Sequence, residues 1–283
     1  MRRVLRAFSY VGLSLVAVVL AAYGVLYAIS AVKLRRSYAV APYSVRVPHD
    51  SVSISEGGRL AKIRGCTTCH GTMAEGQILF QRWLVGRLAA PNLTKAVRKY
   101  SDAELEGIIR HGVRPDGKSV IEMPSGMFAP LSDQDLGAII SYLRSLPVRE
   151  GDTGGVQFGA LGHVLFALGQ VRPVATEAKR AAGLTDIYPA PSDSNWAGAY
   201  LARTVCTECH GLDLRGGPRG KPPDLKIAGA YPLDAFTHLM RTGKAPGERE
   251  VGLMSQVARR RFSNLTDAEI ALLHRYLVAR ARQ

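Results

Sequence analysis

All four cysteines of the chain fall in two identical patterns, Cys66-Thr67-Thr68-Cys69-His70 and Cys206-Thr207-Glu208-Cys209-His210. The Cys-x-x-Cys-His spacing is the attachment pattern of a c-type haem. Two thiols add across the two vinyl groups of one porphyrin, and the neighbouring histidine is held under the iron. Two other chemistries compete for these residues. A pair of disulfides would leave both histidines unexplained. A zinc site wants four ligands around a tetrahedron. Here each histidine is the immediate neighbour of a cysteine, and no further cysteine exists to complete either site. Two copies that use every cysteine predict two haems c, joined through Cys66 and Cys69 and through Cys206 and Cys209. His70 and His210 are then the proximal iron ligands.

The elements that must carry these motifs begin with an uncharged run at 7–32, rich in Val, Leu and Ala. About 26 residues at 1.5 Å each cover the ~30 Å hydrocarbon core with some tilt. A cleavable signal peptide has an apolar stretch of only about 7–15 residues, so a retained anchor over residues 1–36 is expected. Ala28-Ile29-Ser30 does resemble a small-residue cleavage site, and cleavage stays open as the alternative. Basic residues flank both ends, so the positive-inside rule gives no orientation. Of the formal charge of +14, six positive charges (Arg2, Arg3, Arg6, Lys33, Arg35 and Arg36) belong to these flanks, leaving +8 on the rest. A mildly basic remainder suits docking onto acidic protein partners and does not require nucleic acid. A second apolar stretch at 156–171 is short and contains Gln157, His163 and Gln170. It is expected to pack on the domains or lie at the membrane surface, with His163 a packing or surface residue.

The rest of the chain is an internal repeat. A short helix precedes each motif, at 55–64 and 195–204, with Gly58 matching Gly198. A proline-led turn follows, Pro91-Asn92-Leu93 matching Pro223-Asp224-Leu225. Tyr100, Leu105, Ile109, Arg110 and Gly112 then match Tyr231, Phe236, Met240, Arg241 and Gly243. Each copy ends in an amphipathic helix started by Ser132 or Thr266, with Asp135 or Glu269 three residues on, as a capping box or its close variant requires. Tyr142-Leu143 and Tyr276-Leu277 occupy the same register. No segment alternates as a strand, so the expected class is all-α. The expected layout is an anchor at 1–36, domains at 50–147 and 194–283, and a linker at 148–193.

This layout resembles the class I cytochrome c fold, and the resemblance covers almost everything from 50 to 280 except the linker. It implies an N-terminal transmembrane helix followed by two tandem cytochrome c domains. In that family the first and last helices of a domain cross at a Gly–aromatic contact, here Gly58 with Tyr142 and Gly198 with Tyr276. The proline after the motif, Pro91 or Pro223, offers its carbonyl to the proximal histidine, orienting the ring and raising its basicity. The sixth ligand is usually a methionine on the loop before the last helix. Of the six methionines, Met73 follows His70 too closely to reach the opposite face, and Met240 matches Ile109 of the core. Met254 is the expected ligand of the second domain. Met123 and Met127 compete in the first. Met123-Pro124 is similar to the Met-Pro ligand motif in the cytochrome subunits of membrane alcohol and sugar dehydrogenases, as is the run from Arg110-His111-Gly112 to Asp116-Gly117, and Met123 is favoured. His111, at a helix end before Gly112, is expected at the surface.

With both axial positions filled by protein, neither iron could take oxygen, peroxide or a small substrate. The expectation is therefore an electron-transfer protein and not an enzyme in its own right. It would relay electrons on the periplasmic side of a bacterial cytoplasmic membrane, because covalent haem attachment takes place outside that membrane. The donor would be a quinol-oxidising complex or dehydrogenase, the acceptor a terminal oxidase or soluble carrier. Redox proteins and the membrane are the expected partners, with no small-molecule substrate. The alternative is a dihaem peroxidase or sulfur-compound oxidoreductase, which would need an open position on one haem.

Overall fold

The computed structural model describes residues 2–41, 43–151, 154–184, 186–217 and 222–282. Helix α1 (Arg2–Arg35) is apolar on all sides and exposes all of its surface but Ser30 and a few half-covered residues. A helix apolar all round belongs in a core or in a membrane. Among the described residues it is the one helix long and apolar enough to span a bilayer.

The first repeat opens with α2 (Ser51–Ile63), started by the Asp50 carboxylate accepting from the Ser53 N–H. Then follow α3 (Cys66–Cys69), β1 (Gln77–Arg82), β2 (Gly86–Ala90), α4 (Leu93–Lys99), α5 (Asp102–His111), α6 (Ser125–Phe128) and α7 (Asp133–Ser145). Ser101 and Glu104 form a capping box on α5, and Gly112 closes it at φ +65°, the left-handed cap a glycine adopts without strain. The stretch at 148–193 contributes β3 (Gly155–Phe158), α8 (Ala160–Ala167) and α9 (Val174–Ala182). The second repeat comprises α10 (Trp196–Val205), α11 (Thr207–His210), a 3-10 turn at Leu225–Ala230, α12 (Leu233–Thr242), β4 (Lys244–Ala245), β5 (Arg249–Glu250), α13 (Leu253–Arg260) and α14 (Asp267–Ala281).

Helices thus dominate, but among the described residues five short strands occur where none was expected. β1, β2 and β3 form one antiparallel sheet and β4 pairs with β5. They escape the sequence pattern because β1 and β2 do not alternate inside and outside, and β3, β4 and β5 are four residues or fewer. β1 is exposed along all but its first residue, so no apolar period of two was needed to make it. The structure brings β3, from beyond α7, back to the edge of β2. α8 packs along α1 and α9 along α6 and α5.

Two apolar cores form, one per repeat. The first gathers Leu60, Val97, Leu105, Met127, Phe128, Leu136 and Ile140, the second Leu201, Phe236, Leu239, Met240, Ile270, Leu273 and Leu277. In each, the first and last helices cross at small residues. A methyl on Gly198 would come within 2.2 Å of the Leu272 carbonyl oxygen and 2.7 Å of Tyr276 Cβ. The corresponding close approach in the first repeat is at Gly57, where a methyl would meet the Ala138 carbonyl oxygen at 1.9 Å. Gly58 instead faces the Tyr142 ring, 3.0 Å from that virtual methyl. The one-residue offset has a local cause: Gly65, at φ +78°, is inserted between α2 and Cys66, whereas α10 runs straight into Cys206.

The two cores meet at a mixed seam. Ile63, at the end of α2, is buried in the second core. Around it the Arg59 guanidinium donates two bonds to the Glu269 carboxylate at 2.7 and 2.9 Å. Buried Arg64 donates to Asp135 at 2.6 Å, and the Tyr200 hydroxyl donates to the same carboxylate at 2.6 Å. Thr266 and Glu269 make a full capping box on α14. On α7 only the Ser132 half forms, because Asp135 is turned to Arg64 and Tyr200.

Candidate functional site

Each Cys-x-x-Cys-His motif sits on a single helical turn, which places the two thiols on one face. The His70 N–H bonds to the Cys66 carbonyl at 2.9 Å and the His210 N–H to the Cys206 carbonyl at 3.0 Å. Gln77 ties the first turn down by donating to the Thr68 and Cys69 carbonyls at 2.7 and 2.9 Å.

The loops that follow are alike residue by residue. The Gly76 N–H reaches the His70 carbonyl at 2.7 Å and the Gly216 N–H the His210 carbonyl at 2.8 Å. Positive φ falls at Gly71, Ala74 and Gly76 in one and at Gly211, Leu214 and Gly216 in the other. An alanine and a leucine held in the left-handed region are uncommon. That both loops adopt it at the same step means the chain makes one local structure twice. The loops end at the expected prolines: His70 Nδ1 donates to the Pro91 carbonyl and His210 Nδ1 to the Pro223 carbonyl, each at 2.8 Å.

That bond has a chemical consequence. With the proton on Nδ1, the lone pair lies on Nε2, which has no protein partner among the described residues in either ring. Burial lowers the pKa of both imidazoles, opposed by the proline carbonyls, so the rings stay neutral, the form that binds a metal. The thiols show burial as well, Cys66 being pushed up to about 11 and Cys206 to about 12. No disulfide joins them.

The methionines separate by depth. Met127 is 2% exposed inside the first core. Met123 is half-buried and packs at the edge of the same core as Cys66. Met254 is half-buried and packs at the edge of the second core, as Cys206 does. It lies in the first turn of α13 rather than in a loop, since the second repeat has an eight-residue helix where the first has the four-residue α6. Two neutral imidazoles with free Nε2, two pairs of thiols on helical turns and a thioether at the rim of each core form a donor set that fits a c-type haem in each repeat. Of the remaining residues, Met240 is core, Met73 is exposed, and His111 lies 3.2 Å from Glu106. His163 does pack, its Nδ1 2.9 Å from the Ser30 hydroxyl of α1.

Sequence matching paired Arg110 with Arg241 without giving them a task. Arg110 donates to the Leu131 carbonyl at 2.6 Å and to Asp133 at 2.7 Å. Arg241 donates to the Leu265 carbonyl at 2.5 Å and to Asp267 at 2.6 Å. Each arginine therefore fastens the end of the methionine segment to the start of the last helix. Arg261 was not singled out at all. It is 7% exposed, it donates to Glu208 inside the second motif, and it abuts Gly65 just before the first. Its counterpart by position is Met127, so the repeat itself hides it.

The cytochrome c family model matches residues 54–147 and again residues 197–280. The chain is 25% identical to the fructose dehydrogenase cytochrome subunit of Gluconobacter japonicus, over 80% of this chain and 52% of that protein. It is also 25% identical to the cytochrome c subunit of the quinone alcohol dehydrogenase of Gluconacetobacter polyoxogenes and of Komagataeibacter europaeus, over 81% of this chain and 56% of each. The chain spans about half the length of these curated relatives. Each family match begins in the helix before a Cys-x-x-Cys-His motif and ends within two residues of the end of the helix that crosses it, and together the two cover more than half of the sequence: the chain belongs to the cytochrome c family.

Proposed function

We propose that the chain is a dihaem electron carrier, held by α1 in a bacterial cytoplasmic membrane with both haem-binding units on the periplasmic side. The units are 50–147 and 194–283, joined by 148–193 and preceded by the anchor at 1–36. The observation that carries this reading is the repeated His–Pro carbonyl bond, His70 to Pro91 and His210 to Pro223, each beside a thiol pair.

When bound, each haem supplies an iron that alternates between ferrous and ferric and so stores one electron. Cys66 and Cys69 would hold one porphyrin and Cys206 and Cys209 the other. His70 and His210, oriented by their proline carbonyls, and Met123 and Met254 would supply the remaining iron ligands. A thioether donor raises the reduction potential, and protein ligands on both faces limit the chemistry to electron transfer. The seam at Ile63, Arg59 and Arg64 keeps the two units in one arrangement, as a relay between them requires. The curated relatives are cytochrome subunits of dehydrogenases, which supports a place beside a membrane dehydrogenase as electron donor and a respiratory acceptor beyond.

Spectroelectrochemical titration of the purified chain tests the reading. Two one-electron waves with low-spin spectra in both oxidation states are expected. A high-spin ferric haem that reacts with peroxide would overturn it in favour of an enzyme.

A further inference from the structure

We propose that the tip of the β1–β2 hairpin and the outer face of α8 form a second membrane contact, a shelf seated among the lipid headgroups beside the anchor. The inference rests on α1 being a membrane anchor, and it goes further by saying how the first haem-binding unit is held against the bilayer.

The level of the shelf follows from three contacts. His163 Nδ1 lies 2.9 Å from the Ser30 hydroxyl, its ring centroid is 4.6 Å from that of Tyr27, and Lys33 Nζ donates to the Ala167 carbonyl at 2.7 Å. α8 therefore runs beside α1 in the same direction, its middle abreast of Tyr27 and Ser30 and its end abreast of Lys33. The hairpin tip is bonded to the start of α8. The Gly159 N–H donates to the Val85 carbonyl and the Leu161 N–H to the Leu84 carbonyl, both at 2.9 Å. Trp83 and Leu84 thus come about level with Tyr27, roughly 9 Å along α1 inside the charged collar that begins at Lys33. The uncharged run of α1 exceeds the ~30 Å hydrocarbon core by about the same distance, and with that excess on the Lys33 side this level is the interfacial zone.

What lies at that level suits lipid. Trp83 is 87% exposed at the hairpin tip, with Leu84, Phe80, Leu161 and Leu168 each at 39% or more. Exposed apolar side chains gathered on neighbouring elements mark an interaction site, and tryptophan is enriched where a membrane meets water. The charge agrees. No acidic residue occurs in 76–101 or in 154–176, while the exposed Arg82, next to the tip, and Arg172, just beyond α8, do. Exposed basic residues beside an apolar tip complement anionic lipid headgroups.

The haem-loaded full chain, reconstituted in phosphatidylcholine–phosphatidylglycerol nanodiscs with a photoactivatable lipid, provides the test. Cross-linked peptides are mapped by mass spectrometry. Label is expected in α1, in 79–84 and in 161–168. The double variant W83E/L84E should lose the hairpin label while keeping the α1 label and both haem spectra. Label confined to α1, with the hairpin clean, overturns the shelf and leaves the anchor standing. If the hairpin is clean and W83E/L84E also stops another protein subunit from co-purifying, the patch belongs to a protein partner and the shelf is again overturned. Label on the hairpin without label on α1 removes the anchor, and with it the level that places the shelf, so it overturns the proposal by that separate route.

Discussion

The Arg261 guanidinium donates to the Glu208 carboxylate at 2.5 Å, and a methyl placed on Gly65 would come within 2.3 Å of its central carbon. One buried side chain thereby joins the second Cys-x-x-Cys-His motif to the residue just before the first, since Gly65 precedes Cys66 and Glu208 lies between Cys206 and Cys209. Burial raises the Cys66, Cys69 and Cys209 thiols, and the Arg261 charge opposes that rise at all three.

Oxidation adds a positive charge to a haem, and a nearby cation resists it. Arg261→Gln is expected to lower both haem potentials and Glu208→Gln to raise them, by tens of millivolts on the scale of 59 mV per tenfold change in equilibrium for one electron. Redox titration of the two variants reads this directly. Shifts of the same sign in both would mean that loss of packing, not charge, is being measured.

Ligation separates the three methionines at the domain edges. Met254→Ala and Met123→Ala should each remove half of the far-red sulfur–iron band of the ferric protein and lower one potential. Met127→Ala should spare both bands and cost about 2–5 kcal/mol of stability, as for a deleted core side chain. Reversal of the Met123 and Met127 results would reassign the first ligand.

The helix crossing predicts an asymmetry between adjacent glycines. Gly57→Ala forces a methyl against the Ala138 carbonyl, which has little room to retreat, and should cost about 1–3 kcal/mol or more. Gly58→Ala presses only on the edge of a ring, and the helix-propensity gain of about 1 kcal/mol offsets much of that. Denaturant unfolding of the two variants, compared side by side, checks the order.

Two haem masses should remain on the fully denatured chain, because thioether bonds survive loss of fold. Deletion of residues 1–36 should leave both haems attached and release the chain from detergent. It should also uncover the α8 surface now packed on α1 through Tyr27, Ser30 and Lys33. Intact mass and detergent-free sedimentation measure the two halves of the statement. A native protein found soluble with a new N-terminus near Ala31 would show the run to be a signal peptide.

Much of this molecule is legible in one dimension. The two thiol–imidazole motifs, the proline turns, the Ser132 and Thr266 caps and the glycine ends of α5 and α12 are local. Each needs only residues a few positions apart, so spacing alone determines it, and repetition of the whole pattern then implies two similar units. The tertiary structure decided everything that joins segments far apart. It set Ile63 into the second core, returned β3 to β2, and laid α8 on α1. It buried Met127 while leaving Met123 at the rim, and it put Arg261 between the motifs. Nothing in the spacing could announce these, because a charge or a leucine carries no mark of its distant partner. Only the packing of two cores against each other selects which arginine is buried, and beside what.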